Sequence, residues 1–179
     1  MFELVTERLV LRPLQAGDVA AFAAYRSDPD VARYQSWDTT YSTTDAERLV
    51  ASQPDPVFGD RGEWVQIGAV DRASGELVGD CAARLAPDQP LTAEVGVTFA
   101  PGSQRRGLAT EALGAVVTWL FEQHGVRRVY AQADDRNVPV HRLLERLGFR
   151  CEARLVEAEW FKGEWITLRV YATLRGEWS

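Results

Sequence analysis

A chain of 179 residues suits one compact domain over 1–179 and is short for two of ordinary size. Its 46% hydrophobic and 26% charged residues exclude a disordered chain, and no apolar run approaches the ~20 residues of a membrane helix. The net charge of −6 disfavours nucleic acid as the main partner and mildly favours a cationic substrate.

The opening residues lack the apolar stretch of a signal peptide. With only Cys81 and Cys151, no CxxC pair and two histidines, neither a disulfide framework nor a metal site is expected, and a reducing cytoplasm is the default location. In chain order, 4–12 reads as a first strand limited by Pro13. Asp18 is a plausible N-cap for a short helix packing Val19, Phe22 and Tyr25, which Asp28-Pro29-Asp30 breaks. Residues 30–43 read as irregular, and Thr44 with Glu47 has the capping-box form of a second helix start. The Pro-, Gly- and Asp-rich 53–62 reads as a loop.

From 64 the hydrophobic period becomes two. Strands are predicted at 64–70 and 77–85 as a hairpin, and at 93–99, where Val95, Val97 and Phe99 share one face and Glu94, Gly96 and Thr98 the other. Leu113, Val116, Val117, Leu120 and Phe121 at helical spacing predict a long helix over 106–123. A strand at 129–133 follows, then a short helix over 138–147 with Leu143, Leu144 and Leu147 as its apolar face. Two closing strands, 151–158 and 165–174, meet at a Lys162-Gly163 turn. Meander strands followed by a helical crossover imply an α/β domain with a mixed sheet.

The chemistry concentrates in Gln104-Arg105-Arg106-Gly107-Leu108-Ala109, between a strand and the long helix. First-turn amides of a helix have no partner inside it and attract anions. Gly107 permits close approach of a phosphate, Ala109 keeps the next turn small, and Arg105 and Arg106 add positive charge. The segment is neither a Walker loop nor a Rossmann turn, and a plain helix start with a solvated Arg pair would explain Q-x-x-G-x-A taken alone. About thirty residues on, a strand ends in Asp134-Asp135-Arg136-Asn137, and a helix closes with Leu-Gly-Phe at 147–149. Asp134, Asp135 and Arg136 read as a charged strand end, Cys81 and Cys151 as small core residues, and His124 as a helix-closing cation.

With these motifs the sequence resembles the GNAT acyltransferase superfamily, and within it the RimJ/RimL-type branch. The resemblance runs through Thr6 to Leu14 (T-E-R-L-x-L-R-P-L), Glu94-x-Gly96, Gln104-x-x-Gly107-x-Ala109, the Ala-Thr-Glu-Ala of 109–112, Asn137, and Leu-Glu-Arg-Leu-Gly-Phe at 144–149. It implies a mixed central sheet of about seven strands, splayed between the fourth and fifth and flanked by about four helices. It also implies an enzyme that moves an acetyl group from acetyl-CoA to a primary amine, a small molecule or a peptide N-terminus, as a monomer or homodimer. The cofactor-binding set it implies is Val97, Thr98, Phe99, Gln104, Arg105, Arg106, Gly107, Leu108, Ala109, Thr110, Asn137 and Arg142. Glu94 is implied as catalytic base beside the cleft, and Trp37 as the acceptor-binding aromatic, with Trp64, Trp160 and Trp165 mainly in packing roles. The chain departs from the pattern at Val140 and Leu144, where relatives carry a proton donor, and at Thr167, where an Asp is common. Those departures keep two alternatives open: a non-catalytic acyl-CoA-binding or regulatory module, or transfer of a bulkier acyl group such as succinyl.

Overall fold

Period-two patterning from residue 64 builds the middle of an eight-stranded sheet in a computed structural model that describes residues 2–53 and 62–178. The strands are β1 (Leu4–Val5), β2 (Leu9–Pro13), β3 (Val65–Asp71), β4 (Leu77–Leu85), β5 (Thr92–Phe99), β6 (Arg128–Asp134), β7 (Arg150–Phe161) and β8 (Glu164–Leu174). Their spatial order is β1-β2-β3-β4-β5-β6-β8-β7, antiparallel throughout except for the parallel β5–β6 pair. Among the described residues, five α-helices flank the sheet: α1 (Val19–Arg26), α2 (Pro29–Ala32), α3 (Thr43–Ser52), α4 (Leu108–Gln123) and α5 (Val138–Arg146). The expected mixed sheet is present. Its extra strand arises because 4–12 is two strands, broken where Thr6 N–H turns back to the Leu9 carbonyl.

The sheet is covered on both faces. The α4 side chains of Leu113, Val116, Val117 and Leu120 pack with Leu9, Leu11, Ile67, Cys81, Val95 and Val129 in one cluster. Full burial of each such side chain contributes about 1.5–3 kcal/mol. On the opposite face Phe22, Ala23 and Tyr25 of α1, Val31 of α2 and Ala46 of α3 pack against Val70 and Leu77. Two covered faces explain why 64–70 does not show clean inward–outward alternation: Ile67, Gly68, Ala69 and Val70 are all buried.

Several local expectations are corrected. Asp18 precedes α1 but does not cap it through its side chain; it accepts from Gln15 N–H and pairs with Arg12. α1 ends at Arg26, before Asp28-Pro29-Asp30 as expected, but the start of the segment read as irregular forms the one-turn α2, which Asp28 caps by accepting from the amides of Asp30 and Val31. The capping box of α3 is Ser42 with Asp45, not Thr44 with Glu47. Cys151 is exposed on the outer strand, whereas Cys81 is buried and its thiol pushed up by that burial. Trp160 and Trp165 stand 59% and 58% exposed, against the expected packing role. His124 follows α4, but burial against Trp119 lowers its pKa, which disfavours the expected cation. Residues 54–61 of the expected loop lie outside the described residues. Among the described residues no helix is long and apolar enough to cross a membrane.

Candidate active site

The parallel β5–β6 ladder is short, and that shortness makes the site. β5 meets β6 at only Thr92–Arg128, Ala93–Val129 and Glu94–Tyr130, after which β5 runs on to Phe99 and β6 to Asp134 without pairing. On its other side β5 stays paired with β4 from Ala93 to Phe99. Val95 to Phe99, including Val97 and Thr98, therefore present one main-chain edge without a strand partner among the described residues. Such an edge is a template for an extended, amide-bearing chain.

The same strand leads into the loop that precedes α4. Gln104 Nε2 donates to the Phe99 carbonyl at 2.9 Å, tying the loop to the strand end, so its amide serves the loop's own geometry. Arg105 (φ 60°) and Gly107 (φ 79°) hold the left-handed backbone region, which is costly for residues with a Cβ. Gly107 is the N-cap of α4 and no side chain caps the helix, leaving its first-turn amides at Leu108, Ala109 and Thr110 free of a capping side chain. The Leu108 side chain is buried in the core, so only its main chain faces outward chemistry. Arg105 and Arg106 are exposed, the latter 4.0 Å from Asp71.

Sequence reading missed what holds this loop. Thr6 Oγ1 donates to Glu111 Oε1 at 2.6 Å, the Arg8 amide to the same oxygen at 2.8 Å and Arg8 Nε to Oε2 at 2.7 Å. Arg8 Nη1 also donates to the Arg106 carbonyl at 2.8 Å. Two distant motifs, at 6–14 and 109–112, are thus one hydrogen-bonded unit under the α4 N-terminus. Burial works against the charged Glu111, but the hydrogen bonds from Thr6 and Arg8 outweigh it and hold the carboxyl below its ordinary range. Glu111 is therefore a neutralised anchor, and its charge does not oppose an anion at the helix end.

Across the opening, Asn137 sits at the N-terminus of α5 with no cap bond from its side chain, which leaves the amide available to a ligand. Arg142 is exposed on the same helix. Leu144 is a buried core residue and Val140 packs at the margin of that core, so neither supplies a proton. His141 is buried, stacked on Tyr171 and 3.2 Å from the Asp135 carbonyl through Nε2.

Glu94 lies at the apex, on the last rung of the β5–β6 ladder. It is buried, and its Oε2 accepts from Arg84 Nε at 2.8 Å, Arg84 Nη2 at 2.5 Å and Tyr130 OH at 3.1 Å. Burial and then the Glu94 charge raise the Tyr130 pKa, so the phenol stays protonated. Arg84 stacks 4.6 Å over Trp64. The register places Asp80 opposite Thr98 and Arg84 opposite Glu94, so all four side chains share the face covered by α1.

On that face Asp80 accepts from Tyr25 OH at 2.5 Å and pairs with Arg26 at 3.2 Å, both ions almost wholly buried. Burial raises the Asp80 carboxyl, with Arg26 and Tyr25 pulling the other way. The Arg26 guanidinium lies 3.8 Å from the Trp37 ring centre and 4.0 Å from that of Phe22. Trp37 Nε1 donates to the Arg26 carbonyl at 3.0 Å. Trp37 is half-buried and fixed on a buried cation, on the same face as Glu94. Among the described residues, no group of His, Cys, Asp and Glu could hold a metal ion.

The acetyltransferase (GNAT) domain family matches residues 8–150. The chain is 25% identical over 179 residues to the uncharacterized N-acetyltransferase p20 of Bacillus licheniformis, covering 100% of this chain and 99% of that one. Among solved structures, a GNAT-family acetyltransferase from Bacillus anthracis superposes with a TM-score of 0.87 at 24% identity, covering 98% of this chain and 100% of that one. Spermidine N-acetyltransferase from Vibrio cholerae, solved with CoA and spermine, gives 0.81 at 19% identity, over 96% and 98% of the two chains. At these identities the structural likeness establishes the fold.

Proposed function

The chain belongs to the GNAT acetyltransferase family, and on that premise we propose that it transfers an acetyl group from acetyl-CoA to a primary amine by direct attack. The observation that carries this reading is the meeting of two unpartnered main-chain surfaces in one place. The open edge of β5 suits the amides of pantetheine, and the uncapped N-terminus of α4, bearing Gly107, suits the pyrophosphate. In this reading Val97 to Phe99 contribute main chain, Gly107 to Thr110 contribute amides, Arg105 and Arg106 contribute charge, and Asn137 and Arg142 border the other wall.

The amine attacks the acetyl carbonyl carbon as the carbon–sulfur bond breaks. An alkylammonium with a pKa near ~10 must first lose a proton. Glu94, at the apex of the opening, is the acidic group proposed to receive it, directly or through a water, with Arg84 and Tyr130 fixing its orientation. A coenzyme A thiol has a pKa near ~8.5, so it leaves as the thiolate without help from Leu144 or Val140, and the second proton, shed by the nitrogen once it is bonded to the acyl carbon, passes to that thiolate or to solvent. Trp37 borders the acceptor. The motif at 6–14, knitted to Glu111, favours the RimJ/RimL-type branch. The Vibrio relative solved with spermine keeps polyamines beside protein N-termini as acceptors. We place the chain as a single cytoplasmic domain.

A second reading, an acyl-CoA-binding module without catalysis, is favoured by the buried Leu144 where a proton donor is expected. The experiment that separates them is thiol release from acetyl-CoA with spermidine, amino-acid amides and short peptides bearing free N-termini. Release stimulated by an amine, and strongly depressed in kcat by Glu94→Gln with partial rescue at higher pH, supports the first reading. CoA binding without stimulated release by any amine selects the second.

A further inference from the structure

The β7–β8 hairpin outruns the sheet. β8 pairs with β6 from Leu174 to Leu168, opposite Arg128 to Asp134, so Glu164 to Thr167 and the facing part of β7 extend beyond the end of β6. That is the end at which β5 and β6 diverge, so the hairpin tip stands beside the open mouth of the cleft. An isolated two-stranded hairpin is marginal in water, and this one is also interrupted between Leu155 and Glu159, where Glu157 takes φ 46°. Its tip is Lys162-Gly163, with φ 48° and 88°, the positive pair that a two-residue primed turn requires.

Lys162 breaks the usual preference for Asn, Asp or Gly at such a position, and its side chain supplies a reason. Nζ donates to the Ala32 carbonyl at 2.7 Å and to the Trp37 carbonyl at 2.6 Å, with Asp38 Oδ1 at 3.3 Å. One ammonium therefore gathers both ends of the segment that carries Trp37. A parallel tie runs from Glu164 through Arg136, at 2.9 Å, to the loop before α5. Trp37 in turn rests on Arg26, and Arg26 on Asp80, which lies opposite Thr98 in the sheet.

We infer that Lys162 is a positioning residue for the acceptor: it clasps the hairpin tip to the 32–38 segment and so fixes the Trp37 wall over the open end of the cleft. The α4 N-terminus lies outside this chain of contacts, and β5 is reached only at its far end, through the Asp80–Thr98 pairing on the strand edge away from the cleft. The inference rests on the reading that Trp37 borders the acceptor. Lys162→Met removes the donor and keeps the apolar stem, and Lys162→Arg restores a cationic donor. Two measurements are made on the full chain: amide hydrogen exchange of 33–38, and kinetics with the best amine from the panel above.

Loss of charge-assisted hydrogen bonds of this kind is expected to speed exchange in 33–38 and raise the amine KM in Lys162→Met, each about tenfold. The acetyl-CoA KM and the calorimetric affinity for CoA should hold within about twofold, a difference of only a few tenths of a kcal/mol, and Lys162→Arg should recover most of the loss. Unchanged exchange in 33–38 overturns the clasp. Faster exchange with an unchanged amine KM, or equal losses in the amine and acetyl-CoA constants, overturns the positioning role. If the wild-type chain acetylates no amine, the proposed function fails, and the exchange measurement by itself decides whether the clasp exists.

Discussion

Asp80→Asn tests the buried centre beneath Trp37. The side chains of Arg26 and Asp80 are 4% and 2% exposed and meet through a single 3.2 Å contact. Removing one charge of a buried pair strands the other, at a typical cost of about 3–5 kcal/mol. Here Phe22 and Trp37 still cover the guanidinium, and desolvated cation–π contacts of this kind are worth roughly 2 kcal/mol. The Tyr25 hydroxyl can also still donate to the Asn carbonyl. The expected loss is therefore at the lower end, about 3 kcal/mol, or roughly 6–12 °C in Tm for a domain of this size. Urea unfolding followed by both tryptophan fluorescence and circular dichroism measures it, provided the two transitions coincide. The same substitution in an Arg26→Met background should cost under about 1 kcal/mol, because no buried cation remains to be stranded. A loss below about 1 kcal/mol in the wild-type background, or equal losses in both, would refute the reasoning.

Gly107→Val should leave the fold standing and, on the proposed pyrophosphate site, weaken CoA binding by tenfold or more, since φ 79° is costly for a β-branched residue and its Cβ would crowd Arg8 Nη2 at 3.4 Å; calorimetry on the folded variant decides. In acid, hydrogen bonds from Arg154 and Arg169 hold the Asp135 carboxyl down to about 2, below its usual 3.8. A depressed carboxyl stabilises fully above its unfolded pKa, and that contribution drains away as pH falls from about 4 through about 2. Asp135→Asn should accordingly flatten the acid limb of the stability profile over that window, and an unchanged limb would show that the network contributes nothing.

Most strands and both later helices were legible because their cores repeat at one period. α4 carries Leu113, Val116, Val117 and Leu120 on one stripe, and β5 alternates Val95, Val97 and Phe99 against Glu94, Gly96 and Thr98. Errors gathered where a short-range competitor decided the outcome. Ser42 out-competed Thr44 for the cap of α3 because Asp45 could answer it, and Thr6 turned the first strand back on itself. The exposure of Cys151 is not legible in sequence because strand membership does not say which strand lies outermost, and β8 inserts between β6 and β7.

The candidate site divides along the same line. The sequence by itself determined the strand-to-helix turn at Gly107, because a glycine between a strand and a long helix is a local arrangement. It also marked Glu94 by strand parity and Asn137 by its place before a helix. Only the tertiary structure decided what surrounds them. Arg8 lies 103 residues from Glu111, Tyr130 36 residues from Glu94, and Lys162 125 residues from the Trp37 carbonyl it holds. Each of those contacts is made by closing a long loop of chain, and side chains that meet only after such closure leave no periodic or spacing signal in the sequence.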